Sequence, residues 1–299
     1  MTSPALMIGM GEVLWDLLPS GKVLGGAPAN FAYMTNLLGD QGVVASRVGD
    51  DDLGREACRA IEELGRSTAY VQCDRQHPTG VAGVFIDSAG QPTFTIKESV
   101  SWDFLEWTES LEQLSARADV VCFGSLAQRS PTSCATIEHF LQNTPKKALR
   151  IFDVNLRQSF YSAEVLRRSL RYTDIVKLND QELLRVTSLL GFDTGDEETL
   201  TRRLLSKFDL RLVCVTRGAR GSLLVSGDGT AGHKGLSVKV ADAVGAGDAF
   251  AASLAHHYVR GKSLEEISES ANRFASWVAT QVGATPTIHR SRLQSILGG

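Results

Sequence analysis

The chain has 299 residues, 43% hydrophobic and 22% charged, with a formal net charge of −3. It is long enough for one large α/β domain or two smaller ones, and it lacks the basic surplus that nucleic acid would require. No apolar run approaches the roughly 18 residues of a membrane span, residues 1–20 lack the charged and apolar regions of a signal peptide, and five scattered cysteines without a C-x-x-C pair fit reduced thiols in a cytoplasm.

In chain order, Ala5-Leu6-Met7-Ile8 closed by Gly9-Met10-Gly11 reads as a buried first strand. A dinucleotide fingerprint is excluded there, because Leu14 holds the third glycine position and no acid follows about 20 residues on. Asp16 then stands among large apolar groups in residues 12–19. It reads either as a solvated bend or as a carboxylate in an apolar cleft that accepts hydrogen bonds from hydroxyl groups. Gly25-Gly26-Ala27-Pro28-Ala29-Asn30 leads into a helix pattern over 31–38. Its glycines permit close backbone approach to a ligand and Asn30 offers a donor and an acceptor, although a plain loop-to-helix entry with Pro28 in the first turn reads the same way. A strand over 43–49 and a helix over 52–64, ended by Gly65, follow.

Residues 79–96 alternate: Val81, Gly83 and Phe85, a turn at Asp87-Ser88-Ala89-Gly90, then Thr93-Phe94-Thr95-Ile96. This predicts a hairpin, either extending the main sheet or forming a small projecting sheet that serves as a lid against water. Trp102 and Trp107 fall in an amphipathic helix pattern and are expected in the core.

From residue 120 onward apolar strands at 120–125, 150–157, 175–179 and 212–216 are separated by helix patterns. That rhythm predicts a parallel sheet covered on both faces, with ligands at the carboxyl ends of its strands. Asp153, Asn155, Arg157, Asn179, Glu182, Thr216 and Gly218 occupy those ends. Each also has a plain structural reading: turn caps at Asp153 and Asn155, a surface ion pair at Arg157, a helix N-cap at Asn179-Asp180-Gln181-Glu182, and a hairpin turn at Arg217-Gly218-Ala219-Arg220-Gly221.

Residues 242–250, Asp242-Ala243-Val244-Gly245-Ala246-Gly247-Asp248-Ala249-Phe250, lie between a strand-like segment and a helix in which Phe250, Leu254 and Tyr258 recur. Neither a Rossmann nor a Walker pattern is present. A bare helix N-cap with glycine turns is one reading. The other is an anion site made of free amides at the helix N-terminus, with the Asp248 carboxylate beside it to take a proton from an attacking hydroxyl. His256 and His257 point to different helix faces and make no metal site.

Taken together, the Gly25–Asn30 motif, Asp153-Val154-Asn155-Leu156-Arg157, Asn179-x-x-Glu182, Thr216-Arg217-Gly218 and the 242–250 signature resemble, in order and over nearly the whole chain, the pfkB (ribokinase-like) family of carbohydrate kinases, above all its bacterial fructokinase-like branch. Ala243 stands where the family commonly has Thr. The resemblance implies an α/β ribokinase-like fold across 1–299, with a mostly parallel central sheet flanked by helices and lid segments at about 12–24 and 79–97. It implies transfer of the γ-phosphoryl group of ATP to a sugar hydroxyl, with fructose as the expected acceptor. Ribose, 2-keto-3-deoxygluconate or adenosine are alternative acceptors, and a non-catalytic sensor is the alternative class. It further implies Asp248 as base, the Gly245, Ala246, Gly247 and Asp248 amides as anion hole, and Asp16, Gly26 and Asn30 on the sugar, with Arg157 at the phosphate or sugar side. Asn179 and Glu182 would organise Mg²⁺ through water, Thr216, Gly218, Gly221 and Asn272 would hold the nucleotide, and carbonyls near Asp242 and Val244, with Gly283-Ala284, would hold a monovalent cation such as K⁺. The lid, with apolar faces, is expected to serve as a homodimer surface.

Overall fold

The computed structural model describes residues 3–18, 21–86 and 92–298. Its strands are β1 Leu6–Met10, β2 Leu14–Leu18, β3 Gly21–Gly25, β4 Gln41–Gly49, β5 Val71–Asp74, β6 Gly80–Ile86, β7 Pro92–Ile96, β8 Val120–Phe123, β9 Leu149–Asp153, β10 Ile175–Asn179, β11 Leu212–Thr216, β12 Ser222–Ser226 and β13 Thr230–His233. Nine of them form the main sheet in the order β13-β12-β11-β10-β9-β8-β1-β4-β5. Pairing is parallel from β11 through to β5 and antiparallel at β11-β12-β13. The fold is therefore α/β with a mostly parallel sheet, as the strand rhythm predicts.

Alternation along each strand divides the core between the two faces. In β11, Val213 and Val215 pack with Leu183, Val186, Leu200 and Leu204. Leu212 and Cys214 face the opposite layer, where Phe250, Leu254, Ala271 and Phe274 come from the helices Ala246–Tyr258 and Leu264–Ala279. A strand buried on both faces needs apolar residues throughout its buried length, and β8 and the first four residues of β11 supply them.

The predicted hairpin belongs to a second sheet, ordered β3-β2-β6-β7, rather than to an edge of the main one. One of its faces is anchored: Trp15 and Val13 pack with Ala57 and Ile61 of the helix Asp52–Glu63, and Trp15 Nε1 donates to the Leu53 carbonyl at 2.9 Å. The other carries Asp16, in register with Val23 and Ala82. The turn expected at Asp87-Ser88-Ala89-Gly90 lies outside the described residues, as do the side chains of Phe85 and Phe94.

Two local expectations are corrected. Trp102 lies in a 3-10 turn, Ser101–Phe104, and Trp107 precedes the helix Glu109–Ser115, so no single helix carries both. Trp102 is nevertheless buried and Trp107 packs against the core. The segment before Asp242 is irregular rather than a strand, and Val238 and Val240 are exposed there. All five cysteines are free thiols, and among the described residues no helix is long and apolar enough to cross a membrane.

Candidate active site

The Gly25–Asn30 motif and residues 242–250, far apart in sequence, meet above the carboxyl ends of the main strands. Gly26 precedes the helix Ala27–Leu37 with φ 114°, and a Cβ there would stand 2.4 Å from the Glu12 carbonyl. Only glycine lets this helix start against the link between β1 and β2. Asn30, buried one turn into the helix, donates from Nδ2 to Asp248 Oδ2 at 2.8 Å. At the other side Gly245 is left-handed, with φ 79°, and caps the helix Ala246–Tyr258. Ala246 N–H bonds to the Ala243 carbonyl at 3.3 Å and Ala249 N–H to the Gly245 carbonyl at 2.9 Å. The amides of Gly247 and Asp248, between them, have no acceptor among the described residues. Two free N–H groups and the positive end of a helix dipole converge there, which is the arrangement that holds an anion.

The charges around Asp248 are mixed. Burial, and then the nearby Asp153 carboxylate, push the Asp248 carboxyl up to about 6, against the Asn30 hydrogen bond, Lys177 and Arg157. Glu12 is buried with its Oε2 unpartnered, and burial raises it to about 7 while Arg157 opposes the rise. Burial also raises Asp16, again against Arg157. Arg157, which is exposed, thus favours the charged form of three acids, Glu12, Asp16 and Asp248.

Two cavities meet at Thr216 and Gly247. One, of about 440 Å³, is lined by Asp153, Asn155, Arg157, Lys177, Asn179 and Glu182, among others. Asn155 holds φ 42° at the β9 end, a left-handed conformation that Asn tolerates better than most side chains. Asn179 and Glu182 form a capping box: Asn179 Oδ1 accepts from Glu182 N–H at 2.8 Å, and Glu182 Oε2 accepts from Asn179 N–H at 2.8 Å. Glu182 Oε1 also accepts from Leu156 N–H at 2.8 Å. Each carboxylate oxygen therefore has one backbone donor and keeps lone pairs free for water. Among the described residues no group of three or more His, Cys, Asp or Glu side chains could hold a metal ion by itself.

The second cavity, of about 600 Å³, is lined by Thr216, Gly218, Gly221, Val238, Phe250 and Asn272, among others. Gly218 and Gly221 sit in the turn between the antiparallel strands β11 and β12, so the hairpin-turn reading and the cavity-lining reading both hold. The Asn272 amide donates to Ser222 Oγ and to the Ser268 carbonyl, each at 2.7 Å, so its NH₂ ties helix to sheet while the residue borders the cavity. Asp242 joins two loops, accepting from Val244 N–H at 3.0 Å and from Gly283 N–H at 3.2 Å. The Val244 side chain is exposed.

Of the residues singled out in the sequence, Asn155, Arg157, Asn179, Glu182, Thr216, Gly218, Gly221, Ala246, Gly247 and Asn272 line these two cavities, whereas Asp16, Gly26, Asn30, Asp242, Val244, Gly245 and Asp248 line neither. Glu12 and Lys177 were missed. Lys177 reads as an interruption in an apolar strand, and that interruption was the available signal: a charge in a strand buried on both faces needs a partner or a task.

A family model described as "pfkB family carbohydrate kinase" matches residues 20–290. A fructokinase from Escherichia coli is 31% identical over 258 residues, covering 82% of this chain and 81% of the relative. Among solved structures, an uncharacterised sugar kinase from Pyrococcus horikoshii in complex with ATP superposes with TM-score 0.79 at 25% identity, covering 97% of both chains. A fructokinase double mutant from Vibrio cholerae O395, bound to fructose, ADP and potassium ion, superposes with TM-score 0.81 over 98% of both chains; at 23% identity it speaks to fold alone.

Proposed function

The chain belongs to the pfkB family of carbohydrate kinases, and from that premise we propose that it transfers the γ-phosphoryl group of ATP to a hydroxyl of fructose. The observation that carries the site assignment is the half-buried Asp248, bonded to Asn30 on one side and set in the helix turn with the free amides, where Gly247 lines both cavities. Fructose is favoured by the fructokinases from Escherichia coli and Oryza sativa, 31% and 28% identical to this chain.

In the proposed reaction the sugar lies under the small sheet, with its hydroxyls on Asp16, Asn30 and the Gly26 backbone. The nucleotide base occupies the cavity beside Gly218, Gly221 and Asn272, and the triphosphate runs past Thr216 to the Gly245–Asp248 turn. Asp248 accepts the hydroxyl proton as the oxygen bonds to the γ-phosphorus and the bond to the β,γ-bridging oxygen breaks, releasing ADP. An ordinary Asp is a weak base toward an alcohol, but the proton need move only as the new bond forms. Because phosphoryl transfer asks little covalent chemistry of the protein, positioning and charge stabilisation by the amides and Arg157 carry the catalysis.

The donor set fits Mg²⁺ held mainly by the nucleotide, since Asn179 and Glu182 keep lone pairs for its water ligands while their capping box holds them still. When bound, the ion neutralises phosphate charge. The Asp242 bridge between the 242–244 and 283 loops supports the proposal that backbone carbonyls of these loops hold a monovalent cation such as K⁺. Residues 1–299 form one kinase unit in this reading, with about 12–24 and 79–97 as its lid. The lid's open face, carrying Leu18, Val23 and Val84, is proposed as a homodimer contact.

An assay of ADP release across fructose, ribose, 2-keto-3-deoxygluconate and adenosine tests the reading. The highest kcat/KM is expected with fructose. A higher value for another acceptor would replace the substrate, and ADP release no faster than without acceptor for all four would count against sugar phosphorylation itself.

A further inference from the structure

Lys177 is the most deeply placed cation beside the junction of the two cavities. It sits at the middle of β10, directly across the parallel ladder from Asp153, the last residue of β9. Its position along the strand, two residues after Ile175, directs it to the sheet face covered by the helix Ala246–Tyr258. Nζ donates to Asp153 Oδ1 and Oδ2, each at 2.9 Å, with both side chains under a tenth exposed. An ammonium has three N–H groups, and these two bonds use two of them. A Cβ built on Gly247 would stand 3.4 Å from Nζ, so the ammonium lies against the turn with the free amides. The residue also lines the cavity of Asn179, Glu182 and Arg157.

A buried ion pair is a poor device for stability, because desolvating both charges offsets most of their attraction. Lys177 stands at the wall of a cavity lined by both acids and bases, against a helix N-terminus, where a fixed positive charge gains most from a ligand that is more negative than water. Resting on the kinase reading above, we propose that Lys177 is a catalytic residue whose third N–H donates to a non-bridging oxygen of the phosphoryl group in transfer, with Asp153 clamping the ammonium in place. No proton leaves Lys177: the hydroxyl proton goes to Asp248, the new P–O bond forms, the bond to ADP breaks, and the ammonium supplies charge and one hydrogen bond. Arg157, exposed on the wall of the same cavity, adds a second positive charge from the open side, and Lys177 serves the phosphoryl group from below.

Lys177→Met leaves Asp153 buried without a partner, so the decisive variant is the double Asp153→Asn, Lys177→Met, in which no charge is stranded. Steady-state kinetics, binding of a non-hydrolysable ATP analogue and thermal unfolding are measured on the 299-residue chain. If Lys177 acts on the phosphoryl group, the folded double variant loses about 100-fold or more in kcat. Its affinity for the analogue stays within about threefold of the parent, and Lys177→Arg, which keeps a donor and a charge, recovers part of the loss. ATP hydrolysis by water falls in parallel, a readout that does not depend on which sugar is the acceptor. A double variant that turns over within about threefold of the parent, with only Lys177→Met impaired, would show a purely structural ion pair and overturn the proposal. Equal loss of analogue binding and kcat would also overturn it, because the lysine would then serve ground-state binding. Absence of any sugar phosphorylation by the parent, with water hydrolysis still Lys177-dependent, would defeat the sugar-kinase reading and leave this one standing.

Discussion

Asn30 Nδ2 and Asp248 Oδ2 are joined by a 2.8 Å hydrogen bond across 218 positions of sequence. The bond ties the first helix of the fold to the first turn of the helix Ala246–Tyr258, and it is one of the influences that draw the Asp248 carboxyl down while burial and Asp153 push it up. The acceptor of this bond is the group proposed to take the substrate proton, so the residue that orients the base also tunes it.

A pH profile tests that coupling. The base must be ionised, and with Asp248 raised to about 6 the free enzyme's kcat/KM should fall as pH drops through that value. Asn30→Ala removes a donor that favours the ionised form, so the acid limb should move up by about one pH unit. An acid limb unmoved by the substitution would separate the two residues functionally.

Asp248→Asn preserves shape and can still accept the Asn30 hydrogen bond. Nucleotide binding and unfolding temperature should remain near the parent's while kcat falls by about 10² or more. Stopped-flow or steady-state turnover close to the parent's would remove Asp248 from the role of base.

Glu12 should leave a signature in stability rather than turnover. The folded protein holds the Glu12 proton up to about pH 7, whereas the unfolded chain releases it from its ordinary value of 4.5. Between those values the folded state binds more protons, so this group's contribution falls as pH rises. Denaturant unfolding of the parent and Glu12→Gln at pH 5 and pH 8 should show the difference between them shifting in the variant's favour by about 2 to 3 kcal/mol at the higher pH. A pH-independent difference would mean that Glu12 is not buried in its neutral form.

The lid makes a prediction about assembly. Leu18, Val23 and Val84 are 47%, 40% and 62% exposed and share the face that carries Asp16. Sedimentation velocity should find a dimer, and Val84→Lys should shift it to monomer. A monomeric parent at micromolar concentration would leave the open face to the sugar alone.

The architecture was legible in the sequence, and so were the polar residues from which a site could be proposed. Apolar strands at 120–123, 175–178 and 212–215 can be buried only in a covered parallel sheet, and that burial sends polar residues such as Asp153 and Thr216 to the strand ends where a ligand can reach them. Local pattern could also raise the capping box at Asn179 and Glu182, since its partners lie three residues apart. What only tertiary structure decided is which distant groups share a field. Glu12 looks unremarkable until Gly26 packs on its carbonyl and burial closes around its carboxyl, and Lys177 is one charge in an apolar run until β9 sets Asp153 beside it and Gly247 closes over it. The small sheet's separation from the main one likewise depended on β2 choosing β6 as its parallel partner, a pairing across more than 60 residues that no local alternation encodes. Electrostatic environment falls off over ångströms in space while sequence records only neighbours along the chain, so the polar residues could be listed in advance but the values at which Asp248 and Glu12 hold their protons could not.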